Sequence, residues 1–357
     1  MLVSIAPRLC RPSAWQRDGA MSPRLTWTRK GARRPFRYFD AKGGRITDPE
    51  VVERLDGLAI PPAWKDVRIS PNAGAKLQST GVDSAGRKQY RYHPDFRARQ
   101  EAAKYQDLIR FAEKLPELRL AMGEHLTLDP LDPLYVCAVA IRLINLAWFR
   151  VGSDRHTKRS RTYGVTTLRK SHVIVRGTRV TFRFPAKGKV LVRTALVDGE
   201  LADAVRALQE TAGTRLFRYE VDGVLCNLTA RRLNDYVQEY MGEEFSCKDF
   251  RTWGGTLTAA IAFAERGPVE GKTEQKRAVA AVMRKVGERL GNTPAVARNS
   301  YVSPAVVEQY LDGRTIEDFR PRNLRIVSAR DIGLDQEEQA TLSLLRSWRI
   351  REGRKAA

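Results

Sequence analysis

Long hydrophobic runs are missing from this sequence. Nothing in its 357 residues approaches the ~18 consecutive apolar side chains of a membrane-spanning helix, so no such span is expected. Cysteine is scarce too. Cys10, Cys137, Cys226 and Cys247 stand far apart with no CxxC, which argues against a disulfide framework and for buried thiols in a reducing compartment. With 4 histidines and no HExxH, no metal site is expected. The nearest approach to a phosphate-binding P-loop is GVDSAGRK, from Gly81 to Lys88. It lacks the Gly-Lys-Ser/Thr ending, which excludes nucleotide hydrolysis and leaves no cofactor to expect. Acids are the last shortage: 41 Asp and Glu face 63 Lys and Arg, for a net charge of +22. That imbalance calls for a polyanionic partner, nucleic acid first and an anionic membrane surface second.

What is present fits a globular protein with room for two domains. Residues 1–30 are rich in Arg and Pro, and the first acid is Asp18. A basic disordered tail is the reading preferred over an overlong translation start or a transit-like segment. From Phe36 to about Arg97, short strands and turns are predicted: FRYFD, AKGG, RITD, the IPPAW loop, DVRIS and KLQSTGVDSAGRKQYRYH all fit hairpins. In RKQYRYH, Tyr90 and Tyr92 share one face of a strand, with Lys88 and Arg91 beside them. A basic amphipathic helix over about 100–115 leads into the second domain. YVCAVAIRLINLAWFR, Tyr135 to Arg150, is apolar nearly all round and reads as a core helix that delivers Arg150 to a surface or cleft. Between Arg150 and Arg193, 13 Lys or Arg meet one acid, Asp154. HVIVRGTRVTFRFPAKGKVLVRT has an antiparallel pattern, with turns at Arg176-Gly177-Thr178 and Pro185-Ala186-Lys187-Gly188. Lys187 sits at the second tip. Helices are predicted over 198–212 and 229–241. Ser246 then reads as an N-cap with Asp249 as its capping-box acid, and Arg251 falls in the first turn of the next helix, a natural phosphate site. The last 40 or so residues read as a charged peripheral helix and tail.

Ala281 to Ser303 is the most informative stretch. Ala281, Val282, Val286 and Leu290 make a helical stripe, and Gly291 stands where a helix end wants a left-handed residue. Thr293-Pro294 reads as an N-cap followed by Pro at the first helical position. Tyr301 lies about two turns on, among arginines, where it is a candidate nucleophile toward a phosphodiester. Each signal alone has a plainer reading: Tyr301 as packing, Lys187 as a solvated tip, the charge run as a wetted face, Tyr90 and Tyr92 as an edge strand.

Together they fall in a familiar order. FRVG with Arg150, FPAKGKV with Lys187, KDFRTWGG with Arg251, and GNTPAVARNSY with Asn292 and Tyr301 resemble the type IB DNA topoisomerases, in particular their poxvirus-like and bacterial branch. The resemblance covers about Phe36 to Leu311. It implies an α+β protein with a small N-terminal β-sheet domain and a larger, mainly helical catalytic domain of the fold shared with tyrosine recombinases. By this reading residues 1–30 are the tail, 31–100 the DNA-binding β domain and 101–357 the catalytic domain. It further implies Arg150, Lys187, Arg251, Asn292 and Tyr301 as catalytic residues, with Asn292 where the poxviral and cellular enzymes carry His. SAGRKQYRYH is similar to the strand that the family lays in the major groove, so Gln89, Tyr90 and Tyr92 are implied DNA contacts. Arg155 and His156 are others, with His156 where the viral enzyme has tyrosine. A monomer closing as a clamp on duplex DNA, in the cytoplasm and on the nucleoid, completes the expectation. Two alternatives stay open: a site-specific tyrosine recombinase, disfavoured by Lys248 in place of the His of HxxR, and a non-catalytic nucleoid DNA-binding protein.

Overall fold

The computed structural model describes residues 25–31, 35–320 and 333–356, with the backbone alone at 97–104 and 355–356. Residues 1–24, which hold most of the expected tail and Cys10, lie outside the described residues. The chain divides into two compact units between Ala103 and Lys104.

The first unit is built on a five-stranded antiparallel sheet: β1 (Trp27–Lys30), β2 (Arg37–Phe39), β3 (Lys65–Ile69), β4 (Leu77–Val82) and β5 (Lys88–Tyr92), in the order β2-β1-β3-β4-β5. β1 falls inside the stretch assigned from sequence to the tail, and it corrects that boundary: these residues pair with two neighbours. A second correction is the helix α1 (Pro49–Gly57), where only turns and strands were expected. Its signals are local. Asp48 caps it by accepting from the amides of Glu50 (3.0 Å) and Val51 (3.3 Å), and Pro49 takes the first helical position. RITD contributes only an isolated bridge, Arg45 to Phe39. Phe36, Tyr38, Leu55, Ile60, Val67 and Ile69 form this unit's core.

α2 (Pro94–His125) is far longer than the helix expected at 100–115. α3 (Pro133–Ala147) has its side chains buried nearly all round, as its composition demands. Then come α4 (Asp154–Ser160) and a three-stranded antiparallel sheet of β6 (Val173–Arg176), β7 (Arg179–Pro185) and β8 (Leu191–Val197), in sequence order. α5 (Gly199–Glu210), a hairpin of β9 (Arg218–Val221) and β10 (Val224–Asn227), and α6 (Ala230–Met241) lead to α7 (Asp249–Arg266), α8 (Lys272–Leu290), α9 (Pro294–Ser300), α10 (Pro304–Leu311) and α11 (Gln336–Ala356). α11 was read from sequence as peripheral. It is not: Ala340, Leu342, Leu344 and Leu345 join the core of this unit.

Of the three described cysteines, Cys137 and Cys247 are buried free thiols, as expected, and Cys226 is half-buried. Burial pushes the Cys137 thiol up to about 12 and raises that of Cys247 as well. Among the described residues no helix is long and apolar enough to cross a membrane, and no group of three or more His, Cys, Asp and Glu could hold a metal ion.

Candidate active site

Arg150 was expected at the end of the core helix. α3 instead stops at Ala147, because Trp148 takes the left-handed conformation, φ 53°. A tryptophan there costs about 1–3 kcal/mol and persists only where its surroundings hold it. Here Gly254 on α7 supplies the hold: a Cβ at that position would lie 2.3 Å from the indole ring. The turn frees the Trp148 carbonyl to accept from Nη1 of Arg251. It also sends Arg150, three residues past the helix end, toward Gly291 and Asn292.

Arg251 enters on the first turn of α7, and Asp249 accepts from both the amide and the hydroxyl of Ser246 at 2.9 Å. This is half of the expected capping box, with the serine hydroxyl donating. Arg251 is only 5% exposed. Its Nη2 donates to the Leu290 carbonyl at 2.8 Å, so backbone oxygens from two helix ends fix the guanidinium. Burial first, then the like charge of Arg150, brings its pKa down to about 10.

The end of α8 follows the sequence reading closely. Gly291 caps the helix at φ 61°, Thr293 accepts from the Val296 amide at 3.3 Å, and Pro294 opens α9. Gly287 allows the chain to fold back this tightly, since a Cβ there would meet the Asn292 carbonyl at 2.8 Å. Arg150 Nη2 donates to the Gly291 carbonyl (3.1 Å) and to Oδ1 of Asn292 (2.6 Å). Arginine only donates, so it fixes the amide with its oxygen inward and Nδ2 turned to the other side. Asn292 Nδ2 and Arg251 Nε are buried, and neither has a hydrogen-bond partner among the described residues.

Tyr301 closes α9, and Gly255 admits it: a Cβ on Gly255 would stand 2.7 Å from the Tyr301 carbonyl. Thr256 Oγ1 donates to that carbonyl at 3.3 Å and accepts from the Ser303 amide at 3.0 Å. The Arg251 guanidinium carbon is 5.1 Å from the phenol ring centroid, and Arg251 also hydrogen-bonds the Tyr301 side chain. Burial pushes the phenol up, but Arg251 foremost, with Arg150 and Lys187, outweighs it. The pKa of Tyr301 therefore lies below the ordinary tyrosine value.

Lys187 begins a 3-10 turn, Lys187–Lys189, that joins β7 to β8 one residue later than expected. Gly188 and Lys189 both have positive φ, and the turn is exposed. Its base is held: the Ala186 amide donates to Val190 and the Tyr163 amide to Pro185, each at 2.8 Å. A cavity of about 200 Å³ lies beside the arginines, lined by Trp148, Arg150, Tyr163, Phe184, Arg251 and Leu290 among others. Of the five side chains that the sequence marked, Arg251, Arg150 and Lys187 bear on the Tyr301 phenol, and Asn292 is tied to them through Arg150. What the sequence reading missed are Trp148 and the three glycines. Gly254 and Gly255 had a signal, because two glycines inside a helix lose roughly 1 kcal/mol each unless something approaches closely.

The implied nucleic-acid contacts divide. Tyr90 and Tyr92 are 48% and 40% exposed on the edge strand β5, with their rings 6.3 Å apart and near parallel. Lys88 Nζ stands 5.7 Å from the Tyr90 ring. Gln89 alternates to the other face, where its amide donates to Asp83 at 2.9 Å. Arg155 and His156 lie exposed on α4 with Lys158 and Arg159.

Comparison with known proteins identifies the family of the chain. A family profile described as "Eukaryotic DNA topoisomerase I, catalytic core" matches residues 93–320, and one for the "Bacterial DNA topoisomerase IB, N-terminal domain" matches residues 35–83. The DNA topoisomerase 1B of Acanthamoeba polyphaga mimivirus is 31% identical over 284 residues, covering 77% of this chain and 84% of the relative. That of Vaccinia virus (strain Copenhagen) is 21% identical over 271 residues, covering 74% of this chain and 83% of the relative. With three cations gathered on one tyrosine, an amide tied to one of them, and this likeness running through both units, the chain belongs to the type IB DNA topoisomerases.

Proposed function

We propose that the chain relaxes supercoiled duplex DNA by transient breakage of one strand, with Tyr301 as nucleophile. The phenol oxygen attacks a backbone phosphorus as its proton passes to water, the bond from phosphorus to the 5′ oxygen breaks, and a 3′-phosphotyrosyl ester forms. Lys187 protonates the departing 5′ oxygen as general acid. The free end rotates about the intact strand, and the same hydroxyl then reverses the step. One phosphate ester is exchanged for another of similar energy, so the cycle needs no ATP.

Arg150, Arg251 and Asn292 hold the nonbridging oxygens as charge grows on phosphorus. Fixed cations do here what a metal ion does in other phosphoryl transfers, so a divalent ion is not obligatory. The observation that carries this reading is Tyr301 held among three cations, with the partnerless Nδ2 of Asn292 and Nε of Arg251 buried in the same cluster. Two buried N–H donors without acceptors are costly unless a ligand brings the acceptors. Asn292 serves where relatives of the resemblance carry His, because only one N–H toward phosphate is required. The unit up to residue 103 binds the duplex through Tyr90, Tyr92 and Gln89 on β5, with Arg155 and His156 of α4 adding backbone contacts. The protein works as a monomeric clamp on nucleoid DNA.

The test is relaxation of a supercoiled plasmid with chelator present and ATP absent. Relaxation under those conditions is the expected result, and an absolute requirement for either additive would sink the assignment. Stimulation by magnesium is compatible, since divalent ions speed release from a polyanion.

A further inference from the structure

The family profile ends at residue 320, before α11 begins, yet α11 is tied to the helices on both sides of the site. Its first turn carries Glu338, a carboxylate only 4% exposed. Arg119 of α2 grips it in bidentate fashion, Nη1 to Oε2 at 2.8 Å and Nη2 to Oε1 at 2.7 Å. The Asp335 amide donates to Oε2 at 3.1 Å, and Trp253 of α7 donates its indole N–H to Oε1 at 3.3 Å. Arg119 is itself held by the Gly333 carbonyl (2.7 Å) and Asn145 (3.3 Å).

A buried ion pair is a poor device for stability alone, because desolvation offsets most of its attraction. Its best-attested use is to fix a register. The register in question is that of α7. Trp253 follows Arg251 by two residues, about 200° around the helix. The indole therefore points away from Tyr301 when Arg251 points toward it. Gly254 and Gly255 follow at once and pack closely against Trp148 and Tyr301, so a small turn of α7 is felt at both. A second tether reaches α10, which opens three residues after Tyr301. Gln309 is fully buried there; its amide donates to the Leu344 carbonyl at 3.3 Å, and its oxygen accepts from Arg351 at 2.9 Å. Trp348 of α11 donates to Glu308 at 2.7 Å, and Arg351 pairs with Asp312, also at 2.7 Å.

We propose that α11 is a positioning element of this active site, and that Glu338, locked by Arg119, sets the rotation of α7 through Trp253 and thereby holds Arg251 against Tyr301. Glu338 and Trp253 are both buried, so they act through Arg251 and not on the substrate. The proposal rests on the chemistry assigned above to Arg251 and Tyr301.

The experiment is single-turnover cleavage by the full chain, on a duplex nicked so that the broken strand cannot be resealed, measured across pH. The variants are Glu338→Gln, Trp253→Phe, the double variant, and Tyr301→Phe as control. Trp253→Phe keeps an aromatic ring and the ion pair but removes the indole N–H and part of the buried ring, so, read against its melting temperature, it decides the matter if Glu338→Gln fails to fold. Both single variants should slow cleavage by up to about 100-fold, the scale of an ångström of misplacement, with duplex affinity unchanged. The double variant should be no slower than the worse single, since one contact is lost in each case. The limb of the pH profile set by Tyr301 should move to higher pH, because a displaced Arg251 no longer favours the phenolate. A limb that stays in place, with rates at the wild-type value or falling only as the melting temperature falls, overturns the proposal and leaves the Tyr301 chemistry standing. An adduct in Tyr301→Phe overturns that chemistry and this proposal with it.

Discussion

The arginine cluster and the Lys187 turn belong to one site but are built in opposite ways. Arg251 is buried, spans two backbone carbonyls and sits on a helix whose glycines pack closely against Trp148 and Tyr301. Lys187 is exposed, on a turn of three residues with two left-handed conformations, and only its base is fixed. The difference suits the two tasks proposed for them. Stabilising charge on phosphorus demands donors already in place, because reorganising them during the reaction would cost what they contribute. Delivering a proton demands reach and withdrawal, which suits a side chain with a long stem on a hinged tip.

The largest expected effect lies on the rigid side. Arg251→Ala removes both the contact to phosphate and the contact to the phenol, and should slow cleavage by roughly 10⁴-fold if each such donor is worth 10²-fold or more. Arg251→Lys should recover little, since an ammonium cannot span the Trp148 and Leu290 carbonyls. The sign of the pH effect is fixed as well. Arg251 is the first of the cations that draw the Tyr301 phenol down, so its removal raises that pKa, and residual cleavage should keep climbing to higher pH than in the wild type. A residual profile parallel to that of the wild type would mean that Arg251 does not act on the phenol.

On the flexible side, Lys187→Ala should slow cleavage by about 10³-fold, within the range of a lost general acid. A duplex with sulfur in place of the bridging 5′ oxygen supplies a leaving group that needs no proton, and should bring this variant close to the wild-type rate. Arg150→Ala should not recover to the same degree, and Lys189→Ala serves as the neighbour control. If sulfur rescues Lys189→Ala and leaves Lys187→Ala slow, the contrast between rigid and mobile halves has been drawn at the wrong lysine.

Asn292 sharpens the comparison from within the rigid half. Asn292→Ala loses one donor and should cost about 10²-fold, while Asn292→His should retain substantial activity. An alanine variant as fast as wild type would reduce Asn292 to an anchor for Arg150.

The smallest effects belong to β5. Tyr90→Ala and Tyr92→Ala should weaken duplex affinity without changing its salt dependence, since neither ring neutralises a phosphate. Lys88→Ala should lower the slope of log affinity against log salt by about 0.9 if Lys88 makes one such contact. A loss of single-turnover rate at saturating DNA, in place of affinity, would move these tyrosines from grip to chemistry.

How much of this was legible in the sequence depends on the range of the forces involved. The hinge from Leu290 to Tyr301 was readable because every device in it is local: a left-handed glycine, a threonine cap, a proline at the first helical position. The hairpin over 173–197 was readable from alternation. α1 was passed over although Asp48-Pro49 announces it, because short strand signals flank it on both sides. Trp148 was unreadable by local rules, since its left-handed turn is imposed by Gly254, over a hundred residues later. The inward placement of α11 was equally hidden. Its sequence carries Arg and Glu at a third of its positions, and the ion pair that buries its first turn joins residues 119 and 338. Gln89 was grouped with its neighbours by motif, whereas strand alternation turned it to the other face.

The central claim is that Tyr301 is the atom donor to phosphorus, and it has a direct measurement. The full chain is mixed with a nicked duplex carrying a labelled strand, the covalent complex is digested, and the modified peptide is sequenced by mass spectrometry. The account predicts one adduct, on Tyr301, through a 3′ phosphate, and none at all from Tyr301→Phe, which still binds the duplex. An adduct mapped to any other residue, or formed by Tyr301→Phe, would contradict it.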